Sequence, residues 1–188
     1  MQTITKDQIA ELPVEEFTKR IIVIDTEEDV AKAVEYLFNF ECVGFDTETR
    51  PSFKKGQNYK VALMQLATDD VCFLIRLNKV GIPPILSDFL ISDRTLKIGL
   101  SLRDDFGAMR KRMDIDPTNF IDLQNFVVKY NIKETSLQKI YAILFGKKIS
   151  KGQRLTNWEA ETLSESQQKY AALDAWACLR IYNQLKQG

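Results

Sequence analysis

The chain has 188 residues, 45% of them hydrophobic, with 26 basic and 26 acidic side chains and a formal net charge of zero. That length buries one sizeable core and is short for two, and the balanced charge excludes a global positive field of the kind that attracts polyanions. There is no histidine, which excludes Ser-His-Asp and Cys-His catalysis, the usual His-ligated zinc sites and any imidazole base.

The opening "MQTITKDQIAELP" has no basic-then-apolar signal pattern, and runs such as Arg20 to Ile24 and Val71 to Leu77 are too short to span a bilayer. The expectation is a single soluble cytoplasmic domain over 1–188, with 1–19 as an N-terminal extension and no membrane association. "RIIVID" reads as a strand. "TEEDVAKAVEYLFNF" reads as a helix with Thr26 as N-cap and Val30, Ala33, Val34 and Leu37 on one apolar stripe. Strands "CVGFDTE", "KVALMQLA" and "VCFLIRL" follow, the first two separated by the Pro- and Gly-containing loop "TRPSFKKGQNYK". Then come a short helix around Pro83 to Leu90, strand "LKIGL", a helix from Ser101 to about Arg112 and a short strand "NFID". Helices near Leu123 to Tyr130 and Ser136 to Phe145, a basic loop "GKKISKGQR" and a long helix from about Ser164 complete the order. This alternation predicts an α/β fold, a mixed central sheet flanked by helices. Cys42, Cys72 and Cys178 are far apart, form no CxxC pair and read as reduced core residues.

Three stretches carry acids where acids need a reason. In "VGFDTETRP", Asp46 and Glu48 sit one residue apart at the end of an apolar strand, so both carboxylates face one side, a costly arrangement without a cation. In "IGLSLRDDFGAMRK", the apolar positions Leu102, Phe106, Met109 and Met113 put Asp105 on the flank of the buried stripe and Asp104 nearly opposite, facing water. In "YAALDAWACLRIY", Tyr170 and Asp174 are four apart on one helical face, with no Arg on that stripe to pair the acid. Four carboxylates and no histidine suit hard divalent cations, and two such ions can clamp both oxygens of a phosphodiester displacement. Tyr170 would orient or deprotonate the attacking water.

The ordered set "FDTE", "GLSLRDD" and "YAALD" resembles the three motifs of the DnaQ-like 3′–5′ exonucleases, in the subclass whose third motif is Tyr-x-x-x-Asp. Within that family the chain, from about Arg20 onward, is most similar to the Werner-type exonuclease domain, with ribonuclease D next; "KVALMQLA" and "NWEAETLSESQQKYAALDAWA" support the match. The resemblance implies a ribonuclease-H-like fold, two Mg²⁺ or Mn²⁺ ions, and release of nucleoside 5′-monophosphates from a free 3′ end of DNA or RNA. It also implies roles. Asp46 bridges two metals, Glu48 and Asp174 complete one site, Asp105 serves the other largely through water, and Tyr170 positions the nucleophile. The absence of a further C-terminal segment leans the expectation toward DNA, with a ribonuclease D-like RNA-processing activity as the alternative.

Candidate nucleic-acid contacts are Thr47 and Thr49 beside the first motif, Phe53, Lys54, Lys55 and Lys60 after it, and Lys147, Lys148, Lys151 and Arg154 before the third. Phe53 is a candidate wedge against the terminal base. Asp122 reads as a helix N-cap and Trp158 as a packing residue. A dehalogenase-type phosphatase would want Asp-x-Asp where this chain has Asp-Thr-Glu. A catalytically silent nucleic-acid-binding relative is the non-enzyme alternative. Protein partners are unknown at this level.

Overall fold

A computed structural model describes all residues from Met1 to Gly188. In chain order the elements are α1 (Lys6–Ala10), β1 (Arg20–Ile24), α2 (Glu27–Leu37), β2 (Cys42–Thr49), β3 (Val61–Ala67), β4 (Val71–Arg76), α3 (Leu77–Val80), α4 (Pro84–Ile91) and β5 (Leu96–Gly99). They continue as α5 (Leu102–Arg110), β6 (Phe120–Asp122), α6 (Leu123–Phe126), a 3₁₀ turn (Val127–Tyr130), α7 (Leu137–Phe145) and α8 (Glu165–Gln187). No helix is long and apolar enough to cross a membrane.

The local chemistry explains most of these boundaries. The Thr26 hydroxyl accepts from the Asp29 amide at 3.2 Å, and the four apolar residues assigned to the buried stripe of α2 are all in the core. Strands β3 and β4 are buried at every position, as continuous apolar runs must be when helices cover both faces. Two short helices, α1 and α3, escape the sequence pattern because five and four residues carry too little periodicity. Helix α5 stops at Arg110, two residues earlier than expected.

The six strands run in the order β1-β4-β3-β2-β5-β6. β3 is antiparallel to both β2 and β4, while β1–β4, β2–β5 and β5–β6 are parallel, so the sheet is mixed. One face packs on residues of α6, α7 and α8 with Trp158 and Phe17; the other packs on α2, α4 and α5. Cys42 is half-buried, Cys72 and Cys178 are buried, and all three are free thiols. The N-terminal segment lies against the body through parallel bridges Gln2 with Ile132 and Val14 with Lys148.

Candidate active site

Strand β2 outruns one neighbour. It pairs with β5 only over Cys42 to Gly44 but with β3 as far as Thr49, so Asp46 to Glu48 project beyond the β5 ladder. The strand alternation then sorts side chains by face. Val43 and Phe45 join the core on the α5 side, while Gly44, Asp46 and Glu48 face α8.

Gly44 is what lets α8 come so close. A Cβ at that position would lie 1.9 Å from the Ala175 carbonyl oxygen and 3.3 Å from Leu179 Cβ, so only glycine leaves room for the helix backbone. The residue before Ala175 is Asp174, and the same approach sets its carboxylate against Asp46 and Glu48. Oxygens of these three acids lie within 4.8 Å of one another. Asp174 is only 6% exposed, and its Oδ1 has no hydrogen-bond partner.

Asp105 approaches from the opposite face of the sheet. The Asp122 carboxylate accepts from the amides of Ser101 and Leu102 at 3.1 and 3.0 Å, and from the Gln124 amide at 3.0 Å, so it fixes the start of α5 as well as capping α6. Ser101 adopts φ 59°, turning the chain sharply from β5 into the helix. Asp105 Oδ1 then accepts a short hydrogen bond from Thr47 Oγ1. Asp104 is exposed at the rim of the cleft, within 3.2 Å of Ser101 Oγ.

The electrostatics are those of carboxylates crowded together out of water. Burial first, then Glu48, Asp174 and Asp105, push the Asp46 carboxyl well above the usual range. Burial followed by Asp174 raises Glu48, and burial raises Asp105 and Asp174. Gln65, the one amide in the apolar β3, donates to Glu48 Oε1 at 3.4 Å and to the Ala171 carbonyl at 3.2 Å. Sequence reasoning passed over Gln65, although a buried amide within "VALMQLA" is a signal of the same kind as the acids. The orphaned Asp174 oxygen and the all-oxygen donor set fit a hard divalent cation.

These groups line a cleft of about 480 Å³, with Thr135, Ser136 and Gln138 on its far wall and Lys151, Arg154 and Tyr170 at its side. Tyr170 stacks obliquely on Trp158, which is fully buried, in keeping with its packing role. A second groove of about 430 Å³ follows directly from the Glu48 end of β2, lined by Arg50, Phe53, Lys54, Tyr59 and Leu155 among others. Phe53 is 81% exposed there, and Arg50 lies 4.5 Å over the Tyr59 ring.

The basic and hydroxyl candidates do not all reach the cleft. Lys147 instead pairs with Glu15 at 3.4 Å, and Lys148 Nζ donates to the Ala10 carbonyl at 2.7 Å, so both are bound to the N-terminal segment. Lys55 and Lys60 are exposed and line neither cavity. Thr49 is at the strand end opposite Val61, whereas Thr47 does line the cleft, with its hydroxyl donating to Asp105. The sequence pattern could not separate lysines that face the cleft from lysines that anchor the loop.

A six-stranded mixed sheet carrying a buried carboxylate cluster at the end of its longest strand defines a ribonuclease-H-like protein with an acidic, histidine-free centre. Residues 21–188 match the family described as 3′-5′ exonuclease, and the chain belongs to that family. It is 35% identical over 178 residues to a 3′-5′ exonuclease of Arabidopsis thaliana, covering 88% of this chain and 57% of that protein. It is 30% identical over 151 residues to the bifunctional 3′-5′ exonuclease/ATP-dependent helicase WRN of Mus musculus, covering 77% of this chain and 11% of that protein. The chain thus spans only part of the length of these relatives. In fold it is similar to the Aedes aegypti Nibbler EXO domain, with TM-score 0.81 and 21% identity over 93% of this chain and 92% of that one. Escherichia coli RNase D gives TM-score 0.80 and 22% identity over 89% and 44%.

Proposed function

We propose that this chain is a divalent-cation-dependent exonuclease that removes nucleoside 5′-monophosphates from the 3′ end of a nucleic acid. The observation that carries this reading is the trio Asp46, Glu48 and Asp174, with oxygens within 4.8 Å and an orphaned buried Asp174 Oδ1, in a cleft flanked by Lys151 and Arg154. Asp46, Glu48 and Asp174 would hold one ion, and Asp46 with Asp105 a second, the latter partly through water. Bound divalent cations supply Lewis acidity, lowering the pKa of water and offsetting charge on the phosphodiester oxygens.

The protein's own groups do the rest. Burial, with Asp174, Glu48 and Asp46 nearby, holds the Tyr170 phenol well above its ordinary range, so its hydroxyl stays protonated and orients the attacking water as a donor. Lys151 and Arg154 neutralise the phosphate backbone. The adjoining groove, with exposed Phe53 and Leu155 and the Arg50–Tyr59 stack, gives unpaired bases upstream of the scissile bond a surface to lie on. The substrate strand then runs from that groove into the carboxylate cluster.

DNA is taken as the first polymer and RNA as the second reading. The second reading is supported by likeness to Trypanosoma brucei RNase D solved in complex with RNA U12, at TM-score 0.77 and 20% identity. The test is digestion of 5′-labelled single-stranded and 3′-recessed oligonucleotides of both polymers with Mg²⁺, Mn²⁺ or EDTA, beside Asp46→Ala. A cation-dependent ladder shortening from the 3′ end and absent in the variant is expected, and the faster polymer identifies the substrate. Binding without cleavage in every condition would replace this reading with a silent binding protein.

A further inference from the structure

One buried acid lies outside the cleft and is not used by the chemistry above. Glu15, in the N-terminal segment, is 8% exposed. Its Oε2 accepts from Tyr141 Oη at 2.7 Å and from Arg180 Nη1 at 3.2 Å, and its Oε1 pairs with Lys147 Nζ at 3.4 Å. Arg180 Nη1 also donates to Tyr141 Oη at 2.6 Å, closing a network that joins the segment to α7, α8 and the start of the basic loop. A buried carboxylate satisfied from three elements has discrete geometry and resists displacement.

The backbone repeats the connection. The Glu15 amide donates to the Lys148 carbonyl at 2.8 Å, and the Lys148 amide donates to the Pro13 carbonyl at 2.9 Å. Ile149 is buried directly afterwards. The loop then turns, with Arg154 N donating to Lys151 O at 3.2 Å, and presents Lys151 and Arg154 to the cleft. Its far end is held separately. Arg76 Nη1 donates to the Glu161 carbonyl at 2.8 Å, and Gln167 Nε2 to Thr156 Oγ1 and the Asn157 carbonyl at 2.9 and 3.1 Å. The segment carrying the two cleft cations is therefore suspended between two anchors, one of which is the N-terminal strap.

The geometry points to Glu15 as a positioning residue for substrate binding. Through Lys147 and the Val14–Lys148 bridge it holds the loop so that Lys151 and Arg154 face the carboxylate cluster. Lys147 and Lys148 are the attachment points of that loop. This inference rests on the proposed phosphate-binding role of Lys151 and Arg154.

The test is steady-state kinetics of the whole chain on a single-stranded oligonucleotide, comparing wild type, Glu15→Ala and Glu15→Gln in the native background and in Lys151→Ala/Arg154→Ala. In the native background Glu15→Ala is expected to raise KM about fivefold with kcat within about twofold, and Glu15→Gln, which keeps an acceptor for Tyr141, less. In the double-alanine background Glu15→Ala is expected to add almost nothing, because the residues it acts through are gone. An unchanged KM, or an effect of the same size in both backgrounds, overturns the proposal. Tryptic cleavage after Lys151 and Arg154 gives a readout independent of nuclease activity. It should quicken in Glu15→Ala, or in Glu15→Gln if the alanine variant does not fold. An unchanged cleavage rate overturns the latch, whether or not the chain proves to be a nuclease.

Discussion

Thr47 and Asp105 stand 58 residues apart and on different elements, yet the Thr47 hydroxyl donates directly to the Asp105 carboxylate. The strand alternation that sends Asp46 and Glu48 toward α8 sends Thr47 the other way, to meet an acid arriving on α5. Thr47 thus holds the fourth acid at the edge of the cleft that both residues line.

Replacing Thr47 with Val keeps the shape and removes the donor. A hydrogen bond to a charged group contributes about 1.5–3 kcal/mol to stability, so Thr47→Val should be destabilised by about that much, and turnover should fall as Asp105 loses its fixed position. Because that bond holds the Asp105 carboxyl down against the effect of burial, its loss raises the pKa further. The acid limb of the pH–rate profile should move to higher pH in Thr47→Val. A profile that only scales down, with no displacement, would show that Asp105 is held by other means.

In the absence of divalent cation the acids oppose folding. Burial raises Asp105 and Asp174 from the ordinary carboxylate range to about 7, so the stability of the metal-free protein is fullest below about pH 4 as far as these groups are concerned. It is lost as pH rises through about 7. Asp174→Asn cannot ionise there. In EDTA at pH 8 it should melt at least a few °C above wild type, since about 1 kcal/mol moves Tm by about 2–4 °C in a chain of this size. The difference should shrink toward pH 5. Added Mg²⁺ or Mn²⁺ should raise the wild-type Tm and leave the variant nearly unmoved, while the variant loses nuclease activity. Equal melting curves at pH 8 would refute the uncompensated charge.

Lys151→Ala/Arg154→Ala should weaken oligonucleotide binding at low salt by tenfold or so. On a single strand it should also flatten the plot of log affinity against log salt by about 0.7 for each phosphate that is no longer neutralised. Lys55→Ala/Lys60→Ala removes two charges that line neither cavity and should change the slope far less. Fluorescence anisotropy over a salt series in Ca²⁺ or EDTA reads both. Equal slopes in the two variants would mean that bulk charge, not position, governs binding.

Gly44→Ala places a methyl where the Ala175 carbonyl stands, and backbone cannot yield as a flexible side chain would. Helix α8 must shift, carrying Asp174 and Tyr170 with it. The expected result is destabilisation of about 1–3 kcal/mol together with a loss of turnover larger than that of a comparable core variant elsewhere, such as Val34→Ala on the opposite face. Paired denaturation and turnover measurements check it; a loss no greater than Val34→Ala would detach Gly44 from the site.

Much of this was readable from residue order because period and chemistry agreed. Thr26, Val30 and Leu37 announce α2 by cap and stripe, and acids on otherwise apolar faces announced Asp46, Glu48 and Asp174. What stayed hidden depends on proximity between distant segments. Nothing local in Lys147 or Lys148 distinguishes them from Lys151; the partner that claims Lys147 is Glu15, 132 positions earlier. Thr47 is singled out in the sequence by its place between two acids, and only the arrival of α5 reveals its partner Asp105. Gln65 was concealed by being one polar residue in a strand otherwise suited to full burial.

Helix α8 follows every other element along the chain, and it alone brings Asp174 and Tyr170 to the acids of β2. During synthesis, a polypeptide that has emerged only as far as the basic loop holds Asp46 and Glu48 without their third acid and without the helix that covers that face of the sheet. Any chemistry that needs all three acids together therefore waits until α8 has docked.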